Sequence, residues 1–169
     1  MLITTDRITL RELTVDDAAF INALLNQPSF LRFIGDRMVR SEEDAATFTE
    51  TQYRQSYRDH GFGLYAIERR DGGDWVGICG LVRREGLDHP DLGFAVLPAH
   101  EGQGLAFEAA AATLDIAQRI HGMHRVLAVA TPDNLRSHRL LARLGFRLEG
   151  TVTLPGGTAP LLRFVRDLP

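Results

Sequence analysis

Between residues 92 and 109 the chain reads Leu92-Gly93-Phe94-Ala95-Val96-Leu97-Pro98-Ala99-His100-Glu101-Gly102-Gln103-Gly104-Leu105-Ala106-Phe107-Glu108-Ala109. No other stretch restricts the fold as strongly. β-forming residues run to Leu97, Pro98 ends the run, two glycines flank Gln103, and an alanine-rich segment follows. The order predicts a strand, a tight turn and a helix. Gly102 and Gly104 let the backbone turn sharply and approach a ligand with no Cβ in the way. The amides from Gly102 and Gln103 through Gly104, Leu105 and Ala106 lack intrahelical acceptors and point, with the helix dipole, toward an anion. The segment reads as a pyrophosphate cradle; the plainer alternative is an ordinary tight turn. Two other phosphate-binding designs fail on the same residues. A Walker loop needs a lysine, and all 19 basic residues are arginine. A dinucleotide fingerprint needs a third glycine where Phe107 stands.

The elements around this segment define an α/β fold. A strand is expected over about 7–13. Asp16 and Asp17 start a helix to about 26, stopped before Pro28, and Ser41-Glu42-Glu43-Asp44 caps a second helix running to about 59. Three β-rich runs follow, Phe62–Glu68, Trp75–Val82 and Leu92–Leu97, the first two joined at an Asp71-Gly72-Gly73-Asp74 turn. Then come helix Leu105–Ile120, strand Val126–Ala130, helix Asn134–Leu144, and strands Phe146–Val152 and Leu161–Arg166. These seven strands and four helices predict one mixed sheet with helices on both faces. At 169 residues, with no repeat and no linker-like tract, residues 1–169 are expected to form a single domain.

Composition narrows the function. The chain is 44% hydrophobic and 24% charged, within the globular range. It has one cysteine, Cys79, which excludes a disulfide framework and any multi-cysteine metal site. Cys79 sits in a strand run and reads as a small buried hydrophobe. No run reaches the roughly 20 apolar residues of a membrane span, so neither a membrane nor a metal is expected. The net charge of −3 argues against nucleic acid as a partner, and the expected location is the cytoplasm. Charge is uneven: residues 1–116 sum to −8 and residues 117–169 to +5. The basic end suits either a solvated face or an arginine-lined dock for a polyanion, since guanidinium pairs bidentately with phosphate.

The segment 92–109 resembles the acyl-CoA-binding motif of the GNAT superfamily of N-acetyltransferases, in the branch of the ribosomal-protein N-terminal (alanine/serine) acetyltransferases. That branch carries Gly-Tyr/Phe-x-Leu-Pro followed by Gly-x-Gly-x-Ala-x-Glu-Ala. Here Glu101 stands where the wider family has Gln or Arg. A second block, Thr131-Pro132-Asp133-Asn134-Leu135-Arg136-Ser137-His138-Arg139-Leu140-Leu141-Ala142-Arg143-Leu144-Gly145-Phe146, resembles the family's Pro-x-Asn-x-x-Ser…Lys/Arg-Leu-Gly-Phe. The opening from Thr5 to Ala18 and the pair Glu149-Gly150 agree with the branch as well. The resemblance implies a mostly antiparallel, twisted sheet with splayed central strands, and acetyl-CoA as co-substrate. It also implies an amine acceptor, either a protein N-terminus or a small molecule, in a monomer or homodimer. Asn134, Ser137, Arg139 and Arg143 then join the cradle as cofactor-binding candidates. Backbone amides around Ala95, Val96 and Leu97 become the donors to the reacting carbonyl. A non-catalytic acyl-CoA-binding module of the same fold is the alternative.

The expected chemistry is attack of a neutral amine on a thioester, which needs a proton acceptor. Asp91 precedes Gly93 by two, and alternation puts it on one strand face with Ala95 and Leu97. It is the first candidate, acting through water; otherwise it is a strand-end surface carboxylate. Glu149 is the second candidate and Glu12 the third, while His89 and His100 flank the segment. Ser137 shares the inward stripe of its helix with Leu140, Leu141 and Leu144. Its hydroxyl either bonds back to the helix or faces the cofactor sulfur. Many members of the superfamily carry a tyrosine as acid where Leu141 stands here. Phe30, Phe33, Tyr53 and Tyr57 are candidate acceptor walls or core. The tail Thr151–Arg163 lacks the arginine and aspartate that the ribosomal branch often shows there.

Overall fold

The computed structural model describes residues 2–169. Eight strands form one sheet in the order β1-β2-β3-β4-β5-β6-β8-β7. They are β1 (Leu2–Thr4), β2 (Ile8–Glu12), β3 (Leu64–Arg69), β4 (Trp75–Val82), β5 (Asp91–Val96), β6 (Arg125–Ala130), β7 (Arg147–Val152) and β8 (Leu161–Asp167). Every neighbouring pair is antiparallel except β5 and β6, which are parallel and share a single register pair, Asp91 with Leu127. Past that pair the two strands part. The sheet thus carries one more strand than the sequence predicts: β1, three residues long, is too short to give a period.

Helices cover both faces. On one lie α1 (Ala18–Leu25), α2 (Pro28–Phe33), and a continuous helical run of α3 (Glu42–Phe48), a π-helical turn (Thr49–Arg54) and α4 (Gln55–His60). On the other lies α5 (Leu105–Arg119), and α6 (Leu135–Arg143) follows β6. The first helix ends before Pro28, as the sequence predicts, and Pro28 then opens α2, at the first turn where its missing N–H costs nothing. Asp17 stands at the N-cap position of α1, as the sequence predicts, and also anchors the turn that leads into it. Its buried carboxylate accepts from the Thr14 amide at 2.8 Å and from Arg11 Nη2 at 2.7 Å. Ser41 does cap α3, its Oγ accepting from the Asp44 amide at 3.0 Å.

Strand alternation sorts the core into two layers. Tyr65 and Ile67 of β3 face α5, whose Ala109, Ala110 and Ala117 pack with Leu105 and Leu114 against the sheet. Ala66 of β3 and Ile78 of β4 face the first helices, among Phe20, Ile21, Leu24 and Phe30. Small residues on α5 let that helix approach closely, as its alanine content predicts. Among the described residues no helix is long and apolar enough to cross a membrane.

Candidate active site

The parting of β5 from β6 opens into a cleft of about 1350 Å³ that runs from α2 and α3 on one side to the starts of α5 and α6 on the other. Which β5 amides face it follows from register. The Leu97 amide donates to the Val76 carbonyl at 2.8 Å, so residues 97, 95, 93 and 91 direct their N–H groups toward β4. The Pro90 carbonyl accepts from the Leu127 amide at 3.0 Å, so even-numbered residues face β6. Beyond the Asp91–Leu127 pair, the amides of Phe94 and Val96 therefore have no strand to meet. Of the three amides expected from sequence, Val96 faces the opening; those of Ala95 and Leu97 are turned to β4, and Phe94 replaces them.

At the mouth of α5, Gly102 and Gly104 hold φ of 74° and 78°, the left-handed region that a side chain strains. The first intrahelical bond runs from the Glu108 amide to the Gly104 carbonyl at 3.1 Å, leaving the amides of Leu105, Ala106 and Phe107 without intrahelical acceptors. The loop is held from behind. Arg7 Nη1 donates to the Gln103 carbonyl at 2.7 Å and Arg7 Nε to Glu108 Oε2 at 2.7 Å. Thr5 Oγ1 and the Arg7 amide both donate to Glu108 Oε1, at 2.6 and 2.9 Å. Burial opposes ionisation of Glu108, but Thr5 and Arg7 outweigh it and hold its carboxyl below the usual range. Arg69 Nη1 fixes the Gln103 side chain at 2.8 Å. Glu101 is engaged by Arg136 of α6, tying the two helix starts together. This mouth fits a diphosphate: bare amides in front and a rigid frame behind. The sequence placed Glu108 inside its motif, but the contact with Thr5 and Arg7, about a hundred residues away, left no local signal.

On α6, Asn134 is the N-cap, its Oδ1 accepting from the Ser137 amide at 3.3 Å. Ser137 lines the cleft and its hydroxyl makes no hydrogen bond among the described residues, so it does not bond back to its helix. Arg139 also lines the cleft with no partner among the described residues, and Arg143 lies 4.5 Å over the Phe107 ring. Leu141 is buried where the superfamily tyrosine would stand.

Asp91 is not a surface carboxylate. It is 1% exposed, begins β5 and lines the cleft. Oδ1 accepts from Arg84 Nε at 2.9 Å, while Oδ2 has no partner. Burial pushes its pKa up, against the opposing pull of Arg84. Glu149 is a different case. The strand order puts β8 between β7 and β6, and Glu149 there accepts from Arg163 at 3.1 Å and Arg147 at 3.4 Å, outside the cleft. Chain order alone does not reveal that β8 inserts between them. Glu12 also lies outside the cleft, and His100 lines it with Nδ1 buried and unpartnered. Phe30, Phe33 and Tyr53 are cleft walls. Tyr57 is not, because its hydroxyl bridges the Leu13 amide, at 3.0 Å, and the Leu64 carbonyl. Cys79 is fully buried, and burial pushes its thiol up to about 12 against the opposing pull of the Thr113 hydroxyl, which leaves it inert.

A sheet parted between two parallel strands, with a bare helix mouth beside the parting, is the frame of a transferase that works with a phosphate-bearing acyl carrier. The chain belongs to the GNAT acetyltransferase family. It matches the family described as Acetyltransferase (GNAT) domain over residues 7–147, and is an acetyl-CoA-dependent N-acetyltransferase. It is 29% identical over 152 residues to the uncharacterized N-acetyltransferase YoaA of Bacillus subtilis, covering 89% of this chain and 85% of that protein. It is 46% identical over 91 residues to the ribosomal protein uS5-alanine N-acetyltransferase of Escherichia coli, covering 53% of this chain and 45% of the relative. The structure of RimL, the ribosomal L7/L12 α-N-protein acetyltransferase, in complex with coenzyme A shares the fold with a TM-score of 0.84. Identity there is 18%, with 99% of this chain and 98% of that one covered.

Proposed function

We propose that the chain, as one domain, transfers an acetyl group from acetyl-CoA to a primary amine by direct attack while both are bound. The amine belongs to a protein N-terminus or a small molecule. What carries this reading is Asp91, a buried cleft carboxyl with one oxygen unpartnered, at the head of the strand whose free amides, Phe94 and Val96, face the same opening.

Acetyl-CoA would supply the activated thioester; the protein's residues do the rest. The α5 amides, with Gly102, Gln103, Gly104, Leu105 and Ala106, take the diphosphate, and Arg139 and Arg143 stand ready for further phosphate. Asn134 fixes the start of α6. The Val96 and Phe94 amides donate to pantetheine and to the carbonyl oxygen on which negative charge develops. Each such donor is worth about 3 kcal/mol. An amine with a pKa of about 8 to 10 arrives mostly protonated. Asp91, raised by burial, accepts its proton. At about 3.3 Å per strand residue, Asp91 and Phe94 are about 10 Å apart along β5, so a bridging water completes the transfer. Ser137 donates to the departing sulfur, which leaves with little help at a thiol pKa of about 8.5.

Calorimetric titration with acetyl-CoA, followed by thiol release with amines and N-terminal peptides, tests the proposal. Binding below the high-micromolar range and amine-dependent thiol release are expected. No binding, or binding without release from any acceptor, overturns it.

A further inference from the structure

We propose that the acceptor amine carries a negative group beside its amine, held by Arg37 and Arg84 on the cleft wall; this rests on the acetyl-transfer reading above. Three other arginines lining the cleft are engaged: Arg32 with Asp133 at 3.3 Å, Arg84 with Asp91, and Arg136 with Glu101. Arg37 makes no hydrogen bond or ion pair among the described residues. The groups that act on it electrically are the Tyr53 hydroxyl and Arg84, a cation like itself. Arg37 is exposed to the cleft, and a guanidinium there with no partner among the described residues is free to take an anion.

The loop between α2 and α3 is built to keep it there. Gly35 takes φ of 121°, open only to glycine, and a Cβ at that position would meet Arg37 Nη1 at 3.4 Å. Met38 holds φ of 61°, which costs a residue with a side chain. Asp36, the acid next in sequence, is fully spent. Arg40 Nη1 donates to its Oδ1 at 2.9 Å, Arg40 Nη2 grips Oδ2, and the Met38 amide donates to Oδ1 at 2.8 Å. Arg37 is thereby denied its nearest carboxylate and directed at the cleft. Arg84 links the two functions, since it lines the same cleft as Arg37 and bonds Asp91. An amine brought to Asp91 for deprotonation thus carries its neighbouring substituent toward two cations. A third, Arg83, also lines the cleft without a partner. Carboxylate suits the pair, and a polyamine is repelled.

The test compares kcat/KM for matched acceptors with acetyl-CoA saturating. One arm pairs a free α-amino acid with its carboxamide. The other pairs two C-terminally amidated dipeptides whose second side chain is Glu or Gln. Preference for the anionic member by about tenfold, expressed in KM, is expected in at least one arm, and the arm that shows it identifies the source of the charge. Arg37→Ala brings the ratio to about one, and Arg37→Glu inverts it, with thermal unfolding confirming the fold. Thiol release without preference in either arm overturns this inference and leaves acetyl transfer standing. A folded Arg37→Ala that keeps the preference overturns it too. No thiol release from any acceptor overturns both.

Discussion

On the α5–α6 side of the cleft, most groups aimed inward are main-chain amides, and the side chains behind them are engaged: Arg7 with Glu108 and Gln103, Glu101 with Arg136, Asn134 with the Ser137 amide. On the α2–α3 side the inward groups are side chains: Arg37, on a loop held in costly backbone geometry, and Arg83, just past β4, neither with a partner among the described residues. Asp91 lies where the halves meet. A donor supplied by the main chain survives replacement of the side chain on the same residue. A donor supplied by a side chain does not. The first half is therefore suited to one fixed ligand, and the second to a ligand that can be exchanged by altering a few residues.

Asp91→Asn strikes the meeting point and has the largest expected effect. It lowers kcat/KM by about 10²–10⁴ while acetyl-CoA affinity, read by calorimetry, changes less than twofold (about 0.4 kcal/mol). Because burial raises the Asp91 pKa, the rise of rate with pH in the wild type is centred above the ordinary carboxylate value; Asp91→Asn removes that limb. The same shift has a stability counterpart. A carboxyl whose pKa rises on folding favours the native state while protonated. That contribution is present below its unfolded pKa and is lost as pH climbs through the folded one. Unfolding midpoints across this window are flatter in Asp91→Asn.

Gly104→Val attacks the first half alone. The position requires φ of 78°, and a Cβ there meets Arg7 Nη2 at 3.3 Å, so the loop shifts and its amides lose aim. Acetyl-CoA Kd rises by roughly 10–100-fold, matching the cost of a side chain in left-handed backbone. Retained affinity in a folded variant places the diphosphate elsewhere. Arg7→Ala reaches the same loop from behind and raises acetyl-CoA KM by about three- to tenfold, the worth of about one ordinary hydrogen bond, since Arg7 acts on the loop and not on the ligand.

The first half was largely legible in the sequence, and the second was not, for a physical reason. Strand, glycine pair and helix lie within residues 92–109, so local backbone preferences carry them. Even there, the inward amides are those of Phe94 and Val96, not Ala95 and Leu97, because their direction depends on which neighbour pairs with which residue. A one-residue change of register exchanges the sets. Glu149 reads as near the site until β8 is found between β7 and β6. Arg37 is one exposed arginine among 19 basic residues, and what distinguishes it is its place on the cleft with no partner among the described residues, which only the fold decides.

Asp36→Ala probes the second half through its frame. Freed from Arg40 and the Met38 amide, the loop relaxes, and the acceptor KM rises by about threefold to fivefold, the worth of about one hydrogen bond. Acetyl-CoA affinity is the control that stays still, and movement of both halves together erases the distinction between them.

Ser137→Ala has the smallest expected effect and asks whether the first half does more than hold its ligand. The hydroxyl lines the cleft and bonds nothing among the described residues, so its removal orphans no partner and leaves no buried donor unsatisfied. Leu141 fills the position from which a tyrosine could have protonated the sulfur. If proton delivery limited turnover, Ser137→Ala would cost the 10²–10⁴ typical of a lost acid. A thiolate with a conjugate pKa of about 8.5 needs no such help, so kcat falls by less than about threefold (about 0.7 kcal/mol). A hundredfold fall measured by thiol release would turn Ser137 from a minor aid to the departing sulfur into a required acid, and the acid–base pair would then span both halves of the cleft, with Asp91 taking the proton and Ser137 returning one.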